Sequence, residues 1–284
     1  MTTDTGSTVP RRQLGRYLRQ LREEARMTVK AAADALEWST PKMWRIETGA
    51  TSMRSLDVEA MCRLYRASPE ITEALMGLAK ETKARGWWHS YGDAIPEWFE
   101  LYVGLEAAAS RLRTYEAQLV PGLLQTEAYA TRVYEVARPE MTSTEVERGV
   151  AVRLGRQAIL TRAVPRALQF DVLLDEAVLR RGADAEQLER LVTVGQQPNV
   201  SLRVVPAPAG LYRGNMTSGT FTILDFDAGS EPSLVYSDSL TGALYLDKAA
   251  EVATYGEAWA SMEKAALTEA ASRKLIASIA EGQA

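Results

Sequence analysis

The residue types that most often carry catalysis or bind metal ions are scarce in this 284-residue sequence. It contains one cysteine, Cys62, and one histidine, His89. A disulfide within the chain is therefore impossible, and a zinc site of cysteines and histidines would lack ligands. Signatures such as GxSxG, HExxH and the glycine-rich phosphate loops do not occur. We expect Cys62 to be a core residue, His89 to be a structural donor, and the chain to be neither an enzyme nor a cofactor carrier.

Carboxylates are the remaining groups that could form a binding site. Glu116, Glu176 and Asp238 could line a polar pocket together with Arg156 and Gln157. The alternative is that these residues cap helices and form surface ion pairs, which is the more frequent role of such side chains. Their spacing does not indicate a magnesium site.

The bulk composition is that of an ordinary globular protein, with 46% hydrophobic and 25% charged residues. The length fits two domains. No run of about 18 apolar residues occurs, and the N-terminal segment lacks an apolar stretch. We therefore expect a cytoplasmic location.

Charge is unevenly distributed along the chain. Residues 9–54 contain ten Lys and Arg against five Asp and Glu, although the whole chain has a net charge of -4. A basic segment on an otherwise acidic chain indicates a polyanionic partner. The alternative is a solvated helix that carries its charges into water.

The basic segment contains the pattern of two short helices joined by a tight turn. Residues 13–26 place Leu14, Leu18 and Leu21 on one helical stripe. Thr28 can cap the alanine-rich helix that follows, and the stretch "EWS" makes a turn after it. The spacing therefore predicts a helix, a capped second helix and a turn before residue 39.

The stretch "STPKMWRIETG" predicts the second helix of a helix-turn-helix. Ser39 or Thr40 can cap it, and Pro41 fits its first turn, where the missing N–H costs nothing. Met43 and Ile46 are three residues apart and are expected to face the core. A helix of this kind presents its polar residues outward, as does the recognition helix that lies in the major groove of DNA.

Residues 13 to about 66 resemble the Cro/C1-type helix-turn-helix, a compact all-helical domain of about five helices. In that family the Arg-Glu pair of "RIE" is largely structural. The resemblance therefore implies that Glu47 pairs with an arginine of the first helix, Arg19 or Arg22, and fixes the corner between the helices. Two further helices are expected to follow, capped by Ser55 and Ser68.

The resemblance implies double-stranded DNA as the partner. Arg45 can form two hydrogen bonds with a guanine, and Lys42 can neutralise a phosphate. Trp44 is unusual, because residues that read base edges at such a position are usually small or polar. It either contacts a thymine methyl group or packs against the fourth helix. The expected DNA contacts are Thr28, Ser39, Thr40, Pro41, Lys42, Trp44 and Arg45.

Beyond the basic segment the composition and the pattern of apolar residues change. Residues 83–97 are rich in tryptophan and are expected to pack between two domains, the alternative being an exposed partner surface. Short β-rich runs bounded by turn residues follow, with helices at about 184–196 and 248–279. Residues 98–284 are therefore expected to be an α+β domain, with a sheet built mostly from residues 166–246.

The whole arrangement resembles actinobacterial, WhiJ-like regulators that join a Cro/C1-type domain to a conserved C-terminal domain of unknown function. The matching phrases include "RGWWHSYGDAIPEWFELYVGLEAAASRLRTYEAQLVPGLLQTEAYA", "SGTFTILDF" and "VYSDSLTGALYLD". This chain has Asp238 where Glu is usual and Leu211 where His is frequent.

The resemblance implies a transcription regulator and a small acidic partner protein encoded nearby. One helix-turn-helix makes few contacts, so we expect a homodimer. The C-terminal domain would sense a partner or ligand, the alternative being one half of a toxin-antitoxin-like pair. The expected organisation is a disordered lead at 1–10, a helix-turn-helix domain at 11–82, the aromatic connector at 83–97 and the α+β domain at 98–284.

Overall fold

The computed structural model describes residues 8–82, 97–163, 166–212, 219–227, 231–239 and 242–282. The chain divides into two compact units, which are described separately. The predicted lead at 1–10 overlaps helix α1, which begins at Thr8. The predicted connector and His89 lie outside the described residues, apart from the backbone of Glu97 at the start of a helix.

The N-terminal unit is all-helical, as predicted, with five helices in its described residues. Its core combines Leu14 and Leu18 of the first helix with Met43 and Ile46 of the third, and Cys62 is buried in the same cluster. The helices are α1 (Thr8–Glu24), α2 (Val29–Ala35), α3 (Thr40–Glu47), α4 (Ser55–Tyr65) and α5 (Pro69–Glu81).

Side-chain caps start three of these helices. The hydroxyl oxygens of Thr28, Ser39 and Ser68 each accept a hydrogen bond from a backbone N–H in the first turn. The prediction for Ser55 is wrong, because Ser55 is the first helical residue and its hydroxyl donates to the Met76 carbonyl at 3.2 Å. The residue that precedes α4 is Arg54, whose side chain does not cap the helix.

The C-terminal unit contains helices on both faces of one sheet. Its helices are α6 (Glu97–Ala108), α7 (Glu127–Ala137), α8 (Ser143–Arg156), α9 (Glu176–Arg180), α10 (Ala185–Val194), α11 (Ala249–Ala265) and α12 (Glu269–Glu281). Its strands are β1 (Arg111–Glu116), β2 (Gln169–Asp175), β3 (Val200–Val205), β4 (Phe221–Asp225), β5 (Leu234–Ser239) and β6 (Gly242–Leu246).

The six strands form a single mixed sheet in the order β3-β2-β1-β4-β5-β6. Strands β1, β2 and β3 pair in parallel, whereas β4, β5 and β6 extend the sheet through antiparallel pairings. The strand order therefore reverses at β1, which lies between a parallel and an antiparallel neighbour. In open sheets such a reversal leaves a crevice beside the strand ends, where ligands commonly bind.

Each face of the sheet has its own core. Tyr115, Phe221 and Val235 point to one face and pack against Trp259 and Met262 of α11. The opposite face is larger and is covered by several helices, among them α6, α10 and α12. The predicted helix at 248–279 is two helices, because the chain leaves helical geometry at Ala266 and a new helix starts at the Thr268 cap.

The α+β class and the division into an all-helical first unit and a larger mixed unit are confirmed. Among the described residues, no helix is both long and apolar enough to cross a membrane.

Candidate functional sites: an exposed helix and a polar cavity

Helix α3 is held in place by a buried ion pair. Arg22 of α1 donates from Nε and Nη2 to the two carboxylate oxygens of Glu47, at 2.6 and 2.9 Å. A third donor of Arg22 reaches the Met27 carbonyl at 2.8 Å. The hydrogen bond with Glu47 is the largest influence on the pKa of Arg22 and raises it. Of the two predicted partners of Glu47, the structure selects Arg22.

Close backbone contact also fixes the angle between α1 and α3. A Cβ atom built on Gly15 would lie 2.4 Å from the Ile46 carbonyl oxygen, so a larger residue would push the helices apart. Gly49 has a φ of 75° and lies against Arg12, which lets the chain leave α3 sharply. These two glycines set the orientation at which α3 is presented.

The outward face of α3 is made of the predicted DNA contacts. Met43, Ile46 and Glu47 are buried, whereas the residues on the other face are exposed. Trp44 is 60% exposed, so it does not pack in the core. The exposed residues at and near this face are Thr28, Ser39, Thr40, Pro41, Lys42, Trp44 and Arg45.

Trp38 is a neighbour of this face that the sequence did not single out. The Lys42 ammonium group lies 3.6 Å from the centre of the Trp38 ring. A cation over an aromatic ring is attracted by the ring's negative face. Trp38 therefore restricts where the Lys42 charge can lie, at the first turn of α3, where the helix dipole also favours an anion.

The second candidate site is a cavity of about 490 Å³ in the C-terminal unit. Two cross-strand rows of the sheet form its floor. The first row is Thr114, Thr222 and Tyr236, and the second is Glu116, Thr220 and Asp238. The residues of each row come from β1, β4 and β5, except that Thr220 directly precedes β4, and they lie on the face that is opposite to α11. The cavity therefore opens beside the strand at which the sheet order reverses.

Helices α6 and α8 and the segment from Gln118 to Gln125 provide the walls. Arg156 of α8 donates two hydrogen bonds to Glu106 of α6, each 2.7 Å long. The rings of Phe99 and Tyr102 lie against its guanidinium group, at 4.9 and 5.5 Å. Burial lowers the pKa of Arg156, but Glu106 outweighs it and the pKa is raised. Arg156 is therefore a fixed and neutralised part of the wall.

Glu116 lies at the end of β1 and faces the cavity. Its Oε2 accepts a hydrogen bond from the Thr220 hydroxyl at 3.1 Å. Burial raises its pKa to about 8, against the lowering effect of that hydrogen bond, and the nearby charge of Asp238 adds to the rise. A carboxyl group with this pKa holds its proton through most of the neutral range.

Of the five predicted pocket residues, the cavity brings three together: Glu116, Arg156 and Asp238. Gln157 lies behind the wall, where its amide nitrogen donates to the Gly122 and Gln125 carbonyls. It does not line this cavity, because it braces the loop instead.

Glu176 lies apart from this cavity as well. Its carboxylate accepts hydrogen bonds from Arg180 and from the Ala207 N–H, at 2.7 and 3.0 Å, and does not line the cavity. The Ala207 bond is the largest cause of its lowered pKa. These contacts are the helix-terminal ion pair that the alternative prediction described.

The sequence analysis missed Arg153, Glu106 and Tyr236, which complete the cavity. The sequence does contain a pattern that predicts the floor of the cavity. The stretches "RTYE", "GTFT" and "VYSD" each carry polar residues two positions apart, which lie on the same face of a sheet. Among the described residues, no group of three His, Cys, Asp or Glu side chains is arranged to hold a metal ion.

Comparison with known proteins agrees with both parts of the structure. Residues 13–75 match the model of a helix-turn-helix domain, and residues 99–278 match that of a domain of unknown function, DUF5753. The helix-turn-helix match indicates a DNA-binding regulator. No curated protein and no solved structure matches the chain. Because the second match spans more than half of the sequence, the chain belongs to the DUF5753 family.

Proposed function

We propose that this protein is a sequence-specific transcriptional regulator that inserts α3 into the major groove of DNA. The observation that carries the proposal is that one face of α3 is buried and the other exposed, within a domain that matches the helix-turn-helix model. Its inner face is fixed by Met43, Ile46 and the ion pair of Glu47 with Arg22. Its outer face is therefore rigid and exposed, which is what base reading requires.

The residues of the outer face would have different roles. Arg45 would form two hydrogen bonds with a guanine and so carry base preference. Lys42 and the Ser39 hydroxyl would contact phosphates, which position the helix without reading sequence. Trp44 would make an apolar contact with a thymine methyl group. Pro41 offers no N–H, so shape would contribute more to recognition than in a fully hydrogen-bonded interface.

Tight binding would need two copies of the chain. One helix-turn-helix contacts few base pairs, and the usual solution is a dimer on two half-sites about one helical turn apart. In this proposal the C-terminal domain supports the dimer and senses a ligand or a partner protein, for which a small acidic protein encoded nearby is one candidate. The WhiJ-like, actinobacterial assignment belongs to the same proposal.

The test begins with selection of duplexes from a random pool by the full-length protein, followed by affinity measurements on the selected site and on a scrambled duplex. Arg45→Ala should weaken binding to the selected site by about 1–3 kcal/mol and relax the preference for it. Lys42→Ala should weaken both duplexes alike and reduce the slope of the salt dependence by about one. Arg63→Ala, on the exposed side of α4, is the matched control.

Equal loss on both duplexes in Arg45→Ala would overturn the role of Arg45 in base reading. A protein that selects no duplex but forms a tight complex with a small acidic protein would favour the alternative of a toxin-antitoxin-like pair.

A further inference from the structure

The cavity of the C-terminal unit contains ionisable groups that form no salt bridge with another described residue. Arg156 and Glu106 neutralise each other through two hydrogen bonds and are therefore not available to a ligand. Three ionisable groups remain at the cavity, the carboxyl groups of Glu116 and Asp238 and the guanidinium group of Arg153. Glu116 and Arg153 are half-buried and Asp238 is exposed, so all three are accessible to a ligand of complementary charge.

The acidic groups lie together on the floor. The register of β4 with β1 and β5, continued to Thr220, places this threonine between Glu116 and Asp238, and its hydroxyl donates a hydrogen bond to Glu116. Within the described part of the chain, neither carboxyl group forms an ion pair with a lysine or arginine. Burial and the charge of Asp238 favour the protonated form of Glu116 in the empty cavity, against the opposing charge of Arg153. A bound ammonium group would let Glu116 release this proton and pair with it as a carboxylate. A hydrogen-bond donor with a positive charge is therefore the group that fits this end.

The basic group lies on the wall formed by α8. Arg153 donates from Nη1 to the side-chain oxygen of Gln125 at 2.7 Å, and its guanidinium lies 4.8 Å from the ring centre of Tyr134. Gln125 is itself fixed by a 2.7 Å hydrogen bond to the Val120 carbonyl. The Nε atom of Arg153 is buried and has no hydrogen-bond partner among the described residues. An unpartnered buried donor is costly, so this end fits an acceptor with a negative charge.

The space between the two ends suits a small organic molecule. The rings of Phe99 and Tyr102 supply an apolar surface, and the Tyr236 hydroxyl supplies a further polar contact. The volume of about 490 Å³ falls within the usual range of small-molecule sites. A few polar groups converging on a partly aromatic cavity are typical of ligand recognition.

We infer that the cavity binds a small zwitterion of the amino-acid type, with its ammonium group at Glu116 and Asp238 and its carboxylate at Arg153. The inference deepens the proposed function, because this molecule would be the ligand that the C-terminal domain senses. It does not require that the protein bind DNA, so the two proposals can fail separately.

The test is titration calorimetry on the full-length protein without DNA. The probes are the common L-amino acids and straight-chain ω-amino acids of two to six carbons, at millimolar concentration. Each zwitterion that binds is compared with the amine and the carboxylate that lack its other charged group. We expect at least one zwitterion to bind about tenfold or more tightly than either of its halves, because each end supplies a charge-assisted hydrogen bond.

Two variants test the two ends of the site. Glu116→Gln and Arg153→Gln should each weaken the bound zwitterion by about tenfold to a hundredfold. Glu147→Gln and Arg148→Gln, which change exposed charges on the outside of α8, are the matched controls and should leave binding unchanged. Circular dichroism of each variant before titration ensures that a loss of binding is not a loss of folding.

Three results would overturn the inference. The first is that none of the zwitterions binds to the folded protein. The second is that an amine or a carboxylate alone binds as tightly as the matching zwitterion. The third is that the control variants weaken binding as much as Glu116→Gln and Arg153→Gln do. Selection of a DNA site by the Glu116→Gln protein, measured separately, shows whether the proposed regulator function holds independently of the ligand.

Discussion

Removing the Glu47 carboxylate should destabilise the N-terminal unit strongly, because it leaves a buried arginine without its counterion. The Arg22 and Glu47 side chains are only 8% and 5% exposed and form two hydrogen bonds. Breaking a buried pair from one side typically costs about 3–5 kcal/mol. Arg22 keeps its bond to the Met27 carbonyl and has the exposed Glu23 carboxylate at 3.6 Å. We therefore expect Glu47→Ala to lower the free energy of unfolding by about 3 kcal/mol, at the lower end of that range.

The assay must report the stability of the N-terminal unit alone, because the chain contains two compact units. Hydrogen exchange followed by mass spectrometry, on peptides from α1 and α3 across a urea series, gives the free energy of opening for these helices. The exposed pair of Glu59 and Arg63 on α4 provides the control. Glu59→Ala should cost at most about 0.5 kcal/mol, since exposed pairs within a helix contribute little.

A double replacement tests whether the cost of Glu47→Ala comes from the unpaired charge of Arg22 or from loss of the ion pair itself. Arg22→Met with Glu47→Leu removes both charges while keeping side chains of similar volume, and it should be far less harmful than Glu47→Ala. A loss below about 1 kcal/mol in Glu47→Ala would refute the reasoning, since it would mean that Arg22 is not desolvated in the folded protein.

Three further predictions concern other parts of the chain. Trp44→Ala should lower affinity for the selected DNA site while shifting the melting temperature little, because the side chain is 60% exposed; a large drop in melting temperature would show that it packs in the core. Glu37→Gly should raise the free energy of unfolding by about 1 kcal/mol in urea titrations, because Glu37 has a φ of 56° in the turn before α3, and an unchanged value would contradict this. Burial raises the pKa of Glu116 to about 8 from 4.5, with Asp238 adding to the rise and Arg153 opposing it, so the folded state binds more protons between these values. The free energy of unfolding should therefore fall as the pH rises through this window, by at most about 1.4 kcal/mol per unit, and Glu116→Gln should flatten the dependence; identical pH profiles of the two proteins would count against it.

Local patterns predicted the helix-turn-helix well because its signals lie within a few residues of each other. The caps at Thr28 and Ser39 and the inward positions Met43 and Ile46 follow from helical spacing alone. Helical spacing is less informative for α4, where the large apolar side chain of Leu56 is 72% exposed. Val58, two residues further on, is buried instead, because α4 packs against α1 and α5 through the face that carries Val58.

The cavity could be predicted only in part, because it depends on register between distant strands. Thr114 and Thr222 are more than a hundred residues apart, yet their hydroxyls are 3.0 Å from each other. Sequence indicated that Glu116 and Asp238 were candidates, but not which partners they would meet. Pairing of Arg156 with Glu106 across two helices is likewise a product of packing, and no local spacing encodes it.

The central claim is that α3 reads DNA sequence, and the affinity ratio of the purified full-length protein tests it most directly. Fluorescence anisotropy would compare its selected duplex with a scrambled duplex of the same composition across a series of salt concentrations. We predict a preference of about a thousandfold or more for the selected duplex near physiological salt. Weak and equal binding to both duplexes would contradict the claim, because it would leave only the salt-dependent attraction of a basic surface for phosphates.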